Sequence, residues 1–138
     1  MVTARITIPQ PVVDAMLAHA VVELPNEACG VLSGSLAEGR AITFHPTRNS
    51  EESPLRYNVD PADLMRVTFE IDDAGMDIVG IFHSHVGSPA VPSETDRRLA
   101  FYPDAFYVLA GLSDRERPEV RAWRIVDGDI TEADLTIE

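Results

Sequence analysis

The sequence predicts an α/β domain in which a mixed central sheet is flanked by helices. Segments with the alternation of strands are interleaved along the chain with segments that have the helical spacing of apolar residues. Residues 77–84 (DIVGIFHS) are apolar almost throughout, which is typical of a central strand covered on both faces. Because 138 residues, 45% of them hydrophobic, can bury a core without disulfides, we expect residues 1–138 to form one domain.

The first third of the chain is predicted to contain a short strand, a helix and a hairpin. Residues 5–8 (RITI) alternate as a strand does. A helix over residues 9–23 is predicted from apolar side chains at three- and four-residue spacing: Val13, Met16, Leu17, Ala20 and Leu24. Residues 28–33 and 40–46, separated by a turn over residues 34–39, are expected to pair as a hairpin.

The middle of the chain is predicted to hold a loop, a short strand and a second helix before the central strand. Residues 47–55 are polar, and side chains there, such as Asn49, either line a groove or are solvated. Residues 56–59 are expected to form a short strand. The helix should begin at the Asp-Pro pair at 60–61, because Asp accepts hydrogen bonds from free amides and Pro suits the first helical position. It should end at Gly75.

After the central strand, the sequence predicts a short helix, a strand and a closing hairpin. Ser93 is expected to be the N-cap of a helix that runs to about Tyr102. Residues 105–112 have the apolar character of another buried strand. Residues 120–126 and 130–137 are joined by an Asp-Gly turn, which is typical of a hairpin.

The composition excludes several classes of partner and site. With 23 acidic and 11 basic residues the formal net charge is −12, so nucleic acids are poor partner candidates. The single cysteine, Cys29, excludes an internal disulfide and a four-cysteine zinc site. The N-terminal segment MVTARITIPQP lacks the apolar run of a signal peptide, and no stretch reaches the ~18 apolar residues of a membrane span. We therefore expect a cytoplasmic protein with no membrane partner.

The segment HSHVGSPAVPSETD, residues 83–96, contains the residues on which the functional prediction depends. His83 and His85 end the central strand, and because residues i and i+2 of a strand point to the same side, both rings can face one metal ion. Asp96 would be a third ligand, which leaves the fourth zinc position open. Zinc lowers the pKa of water bound at such a position to about 7, which favours hydrolysis at neutral pH.

Each of these residues also has a structural interpretation that the spacing alone leaves open. Asp96 could stabilise its helix through the helix dipole, and Ser93 could act only as a cap. A zinc hydrolase also needs a base, for which Glu27 is the best candidate because it opens a buried strand. Exposed acids such as Glu94 are expected to be solvated, and Cys29 is expected to be a small buried side chain and not a nucleophile.

The candidate residues occur in the order of the JAMM (MPN-plus) zinc metalloprotease motif: Glu27, Cys29-Gly30, His83-x-His85 and, after seven residues, Ser93-x-x-Asp96. The chain resembles this family over most of its length. The resemblance implies the three-layer JAMM/MPN α/β fold, which is related in architecture to the cytidine deaminases. It also implies that His83, His85 and Asp96 bind one Zn²⁺ per chain. Glu27 would be the general acid/base, and Ser93 would hydrogen-bond the oxyanion.

Within that family, the short chain and its E-A-C-G strand are most similar to the bacterial Mec-type hydrolases. Those enzymes release an amino acid, typically cysteine, from the C-terminal Gly-Gly end of a ubiquitin-like sulfur-carrier protein. We therefore expect such a carrier as the partner, and the oligomeric state stays open, with a homodimer among the options. One departure is Val86, where many members carry proline after the second histidine; it removes no ligand.

Two alternatives remain at this point. One is the same chemistry on another substrate: a desampylase-like or deubiquitinase-like isopeptidase that acts on modifier–lysine conjugates, or a hydrolase of a cell-wall or phage peptide. The other is a non-catalytic MPN scaffold, although the presence of both base and ligands argues against it. Other zinc families fit less well, because the sequence has neither H-E-x-x-H nor P-C-x-x-C.

Overall fold

A computed structural model describes residues 4–138 of the chain. Within these residues, seven strands and three helices alternate in the order β1 (Arg5–Ile8), α1 (Gln10–Val22), β2 (Cys29–Ser35), β3 (Arg40–Thr47), α2 (Pro61–Asp73), β4 (Asp77–His85), α3 (Glu94–Arg98), β5 (Phe106–Gly111), β6 (Glu119–Val126) and β7 (Asp129–Ile137). None of the helices described for residues 4–138 is long and apolar enough to cross a membrane.

The seven strands form one mixed sheet in the order β1-β3-β2-β4-β5-β6-β7. β4 pairs with β5 in parallel, whereas β2 pairs with β3 and β4 in antiparallel fashion. The short β1 pairs in parallel with both β7 and β3, so the sheet closes into a barrel. Closure was not predicted; it removes the two edges that an open sheet would leave unpaired.

The helices cover opposite faces of the sheet, as β5 shows most clearly. Phe106, Val108 and Ala110 belong to the apolar cluster that packs against α1. Tyr107 and Leu109, which alternate with them, belong to a second cluster that packs against α2. Since successive strand residues point to opposite faces, this alternation places α1 and α2 on the two sides of the sheet. The predicted α/β fold with a mixed sheet flanked by helices is confirmed.

Two predicted elements differ from the structure. Residues 56–59 form no strand; a single bridge joins Val59 to Asn49, and the two segments are otherwise held by two backbone hydrogen bonds and by the side chain of Asn49. The helix α3, predicted to reach Tyr102, ends at Arg98. Pro103 disfavours the helical conformation at Tyr102, the residue before it, but the chain has already left the helical conformation at Leu99.

The start of α2 agrees with its sequence signal. Asp60 is the N-cap, and its side chain accepts a hydrogen bond from the Asp63 amide at 3.1 Å. The hairpin of β2 and β3 also forms as predicted, but β2 continues to Ser35 through an irregularity at Gly34. A Cβ at Gly34 would lie 2.0 Å from the Arg40 carbonyl oxygen, so only glycine permits this approach.

Candidate metal centre

The pairing of β2 with β4 brings the candidate residues together. Cys29 lies opposite His83 in the antiparallel ladder, so the beginning of β2 is next to the end of β4. Ser84 extends this contact, because its amide donates to the Ala28 carbonyl at 3.0 Å and its Oγ accepts from the Ala28 amide at 2.8 Å. Glu27, one residue earlier, is therefore held beside the two histidines that end β4.

The three predicted ligands converge on one point. Asp96 Oδ2 lies 3.1 Å from His83 Nε2 and 3.0 Å from His85 Nε2, and the two Nε2 atoms are 3.2 Å apart. All three residues are buried, with exposed fractions of 0% for His83, 4% for His85 and 7% for Asp96. The group could hold a metal ion.

The separation of these atoms fits a tetrahedral metal. Ligand atoms at zinc–nitrogen distances of 2.0–2.1 Å lie about 3.3 Å apart around a tetrahedral ion. His85 Nδ1 lies 2.7 Å from the Pro89 carbonyl oxygen, and donation to that oxygen leaves Nε2 of a neutral ring with a free lone pair. Acceptor atoms this close repel one another unless a cation or protons lie among them. The donor set of two imidazoles and one carboxylate is therefore suited to a divalent ion.

The electrostatics favour a carboxylate at Asp96 and a neutral ring at His83. Burial acts to raise the pKa of Asp96, but in the metal-free protein hydrogen bonds from protonated Nε2 atoms of His83 and His85, and one from the Ser93 amide, outweigh it and hold this pKa well below its usual range. Burial lowers the pKa of His83, although its contact with Asp96 acts in the opposite direction. A deprotonated carboxylate and a neutral imidazole are the forms that bind metal.

Asp96 reaches this position through the cap of α3. The Ser93 Oγ accepts from the Asp96 amide at 3.0 Å, and the Asp96 carboxylate accepts from the Ser93 amide at 2.9 Å, forming a reciprocal capping box. Both structural roles considered for these residues are thus present. The cap restricts the Asp96 rotamer while leaving its Oδ2 directed at the histidines. Ser93 is exposed, and because its Oγ acts as acceptor in the cap, its hydroxyl hydrogen stays available for donation.

Glu27 is buried without a partner for its carboxyl group. Its exposed fraction is 3%, and Oε1 makes no hydrogen bond to any residue of the described chain. Burial raises the pKa of Glu27 to about 8; His85 acts to lower it and Asp96 to raise it further. A carboxyl group with a pKa near neutrality can both accept and release a proton, which is what acid–base catalysis requires.

The raised pKa predicts a pH dependence of stability in the metal-free protein. Between pH 4.5 and about 8 the folded state retains the Glu27 proton that the unfolded state releases. The free energy of unfolding should therefore fall as pH rises through this window. We expect a decline on the order of 2–3 kcal/mol, once solvent screening is allowed for. Urea denaturation of chelator-treated protein measures it, and Glu27→Gln should remove this part of the pH dependence. If the free energy of unfolding changed with pH in the same way in both proteins, the raised pKa would not belong to Glu27.

Three further contacts at the centre were not predicted. The Tyr57 ring stacks on the His83 ring, with centroids 4.2 Å apart and an interplanar angle of 18°. The Pro89 carbonyl orients His85, and Ser84 links the ligand strand to Ala28. A backbone carbonyl gives no signal in a sequence. Tyr57, by contrast, is an aromatic residue in a mostly polar segment, and this contrast in the sequence could have indicated a functional role.

Cys29 lies next to the centre but has the properties of a structural residue. It is fully buried, and its Sγ lies 3.3 Å from Thr47 Oγ1. Burial raises the pKa of its thiol to about 11, so almost no thiolate exists at neutral pH. This agrees with the predicted role as a small buried side chain.

Comparison with known proteins identifies the family. A family model described as prokaryotic homologs of the JAB domain matches residues 9–126. The chain belongs to this family. The match confirms the predicted JAMM/MPN membership, and it spans the candidate base, all three candidate ligands and Ser93.

Among curated relatives of this JAB-family chain, a CysO-cysteine peptidase of Mycobacterium tuberculosis is 43% identical over 125 residues, which cover 91% of this chain and 86% of that protein. A desampylase of Haloferax volcanii is 35% identical over 121 residues, covering 83% and 86%. A solved structure of a Desulfitobacterium hafniense protein is 32% identical, with a TM-score of 0.88 and coverage of 96% and 92%. A JAB1/MPN domain protein from Archaeoglobus fulgidus, 19% identical, has a TM-score of 0.60 over 95% and 99% of the two chains, and this supports the fold alone.

Proposed function

We propose that this chain hydrolyses an amide at the C-terminal Gly-Gly of a ubiquitin-like sulfur-carrier protein and so releases an amino acid such as cysteine. The observation that carries the proposal is the convergence of His83, His85 and Asp96 beside the buried carboxyl group of Glu27, whose Oε1 has no hydrogen-bond partner among residues 4–138. The predicted enzyme class, a peptidase of the JAMM type, is confirmed by the family and by the named peptidases among the relatives.

The metal in this proposal is Zn²⁺, one ion per chain, with His83, His85 and Asp96 as its ligands. Two imidazoles and one carboxylate in a buried, tetrahedral arrangement support this choice. When bound, zinc supplies Lewis acidity toward a carbonyl oxygen and lowers the pKa of a coordinated water. The neutral His83 ring and the His85 tautomer set by Pro89 are the forms that this binding needs.

Glu27 is the general acid/base of the proposal. Its carboxylate takes a proton from the water that attacks the scissile carbonyl carbon. It then delivers that proton to the amine as the carbon–nitrogen bond breaks. Burial supports this role, because the raised pKa of Glu27 lets the carboxyl group change protonation state at neutral pH.

Ser93 is the proposed donor to the oxyanion that develops on the scissile carbonyl. Its Oγ already accepts from the Asp96 amide, which restricts the hydroxyl group to the rim of the centre. The remaining O–H can point toward a bound carbonyl, as a preorganised donor must. This exposed position at the rim, together with the matching position in the JAMM motif, supports the assignment.

An apolar groove gives the carrier tail a place beside the centre. It has a volume of about 450 Å³ and is bordered by Tyr57, Leu64, Leu99, Phe101 and Tyr107. Tyr57 lies in the wall of this groove and also stacks on His83, so the groove and the candidate ligands share one side chain. A flexible Gly-Gly tail can extend in such a groove and bind through its main chain. The high identity to the CysO-cysteine peptidase supports a carrier–amino acid adduct as the substrate.

A desampylase-like activity is the second candidate, supported by the relative from Haloferax volcanii. The experiment that separates the two uses purified protein with zinc. We expect it to release cysteine from a carrier–cysteine adduct, measured by mass spectrometry, faster than lysine from an ε-linked carrier–lysine conjugate. The reverse order would favour the isopeptidase. Stoichiometric zinc with turnover of neither substrate would support the scaffold alternative. The single domain and the cytoplasmic location remain predictions, and the oligomeric state stays open.

A further inference from the structure

The loop between β3 and α2 is organised around one buried side chain, that of Asn49. We call residues 49–59 the Asn49 loop; it is closed at its base by the bridge between Asn49 and Val59. The exposed fraction of Asn49 is 8%, so its amide group is turned into the protein and away from solvent. This excludes the solvated interpretation of this side chain.

The Asn49 amide group makes four hydrogen bonds, which is its full capacity when each donor hydrogen and each acceptor lone pair is used once. Nδ2 donates to the carbonyl oxygens of Glu27 and Arg56, both at 3.1 Å. Oδ1 accepts from the amides of Glu51 and Asn58, both at 3.0 Å. One side chain thus links the backbone before β2 to both arms of the Asn49 loop.

The first consequence concerns the candidate base. The Glu27 amide donates to the Ser53 carbonyl at 2.8 Å, and the Glu27 carbonyl accepts from Asn49. Both backbone polar groups of Glu27 are therefore bound to the Asn49 loop. Its carboxyl Oε1, in contrast, has no hydrogen-bond partner within residues 4–138. With no hydrogen bond at Oε1, the direction of the carboxyl group depends on the backbone of Glu27 and on the packing around the buried side chain.

The second consequence concerns a candidate ligand. Tyr57 lies between Arg56 and Asn58, the two loop residues whose backbone groups bind Asn49. Its ring stacks on His83, whose Nδ1 is buried and makes no hydrogen bond to the described part of the chain. Since no hydrogen bond at Nδ1 orients that ring, its orientation depends on the Tyr57 stack and on the contact of Nε2 with Asp96.

We propose that Asn49 is a positioning residue that fixes Glu27 relative to His83. It acts through the backbone of Glu27 on one side and through the Tyr57 ring on the other, and it contacts no reacting atom. This inference rests on the proposed function, in which Glu27 is the base and His83 a ligand. Loss of the Asn49 bonds should therefore slow the chemical step more than it weakens substrate or metal binding.

Two substitutions separate the parts of this network. Asn49→Asp keeps the acceptor toward Glu51 and Asn58 but removes both donors, and Asn49→Leu removes all four bonds without adding a charge. We expect each to lower kcat by about 10- to 100-fold, because small displacements of a catalytic group have effects of this size. KM should change by less than about threefold, and zinc content should stay at the wild-type level. Ser50→Ala is the matched control; it removes side-chain hydrogen bonds to Asn58 in the same loop but leaves Asn49 untouched.

The results that overturn the inference are distinct. Wild-type kcat in both Asn49 variants, or an equal loss in Ser50→Ala, would show that Asn49 does not position the base. Loss of zinc together with kcat would indicate general collapse of the centre and would also overturn it. If the wild-type protein itself turns over no carrier adduct, it is the proposed function that fails, and this result is distinct from a failure seen only in the Asn49 variants.

A measurement on the unaltered protein covers the case in which the variants do not fold. Hydrogen exchange followed by NMR should show the Glu27, Glu51 and Asn58 amides protected well above the exposed amides of the same loop. The His83 ring protons should show the upfield shift that a stacked Tyr57 ring produces, and Tyr57→Leu should remove it. Unprotected amides at 51 and 58, or a His83 shift that Tyr57→Leu leaves unchanged, would overturn the inference without any activity assay.

Discussion

Replacing Glu27 with Gln is expected to lower kcat by about 100- to 10,000-fold while zinc content stays at the wild-type level. Gln has the size of Glu but cannot take up and return a proton. Glu27 lies outside the group of three candidate ligands, so metal binding should persist. Because substrate contacts are unaffected, kcat and kcat/KM should fall together. Zinc by mass spectrometry and turnover of a carrier–cysteine adduct measure the two quantities, and Glu27→Ala should behave alike.

Glu94→Gln is the matched control for this experiment. Glu94 is an exposed carboxylate in the first turn of α3, next to Ser93, and it pairs with Arg97. Exposed ion pairs contribute little to stability, so the activity of the Glu94→Gln protein should stay within about twofold of wild type. A fully active Glu27→Gln protein would mean that the base is another residue, whereas an equal loss in both variants would point to surface charge.

Replacing Asp96 with Asn is expected to weaken zinc binding by more than about 100-fold, since even the outer partners of metal ligands contribute 10- to 100-fold. The amide keeps an oxygen that can accept from the Ser93 amide, so the cap of α3 should survive. What is lost is the negative charge that lies 3.0–3.1 Å from both histidine Nε2 atoms. Competition with a zinc-binding dye gives the affinity, and turnover at limiting zinc should fall with it.

Asp63→Asn provides the control for Asp96. Asp63 occupies the same third position of α2 that Asp96 occupies in α3, with an Asp60 side chain as its cap. Its carboxylate pairs with Arg48 away from the histidines. Zinc affinity should be unchanged in this variant. Unaltered zinc affinity in Asp96→Asn, or an equal loss in Asp63→Asn, would remove Asp96 from the ligand set.

The parts of the centre that follow a local rule could be predicted from the sequence. His83 and His85 face one point because strand residues two apart share a side, and Ser93 and Asp96 follow the pattern of a helix cap. Their meeting depends on tertiary structure, since α3 begins eight residues after β4 ends. That distance allows many loop paths, so the order of the family motif, and not the spacing, indicated one site.

The loop after β3 shows why other parts could not be predicted. Residues 56–59 have strand-like character, but the Asn49 side chain takes two of the hydrogen bonds that a partner strand would have made, those of the Arg56 carbonyl and the Asn58 amide. Hydrogen bonds from a side chain to the backbone leave no periodic pattern in the sequence. Closure of the barrel was missed for a related reason: β1 and β7 are separated by most of the chain, and their pairing reflects no local pattern.

The pairing of β1 with β7 has a consequence for folding during synthesis. Arg5 through Ile8 align with Asp134 through Ile137, and the Glu138 amide and carbonyl bond Ile8 and Gln10. While residues 134–138 are still inside the ribosomal tunnel, the nascent chain can form the hairpin of β2 and β3 but cannot close the barrel. Pairing of β1 with β7 therefore waits until residues 134–137 have left the tunnel, and a chain truncated before residue 134 would leave β1 with only its short pairing to β3 and more open to proteolysis.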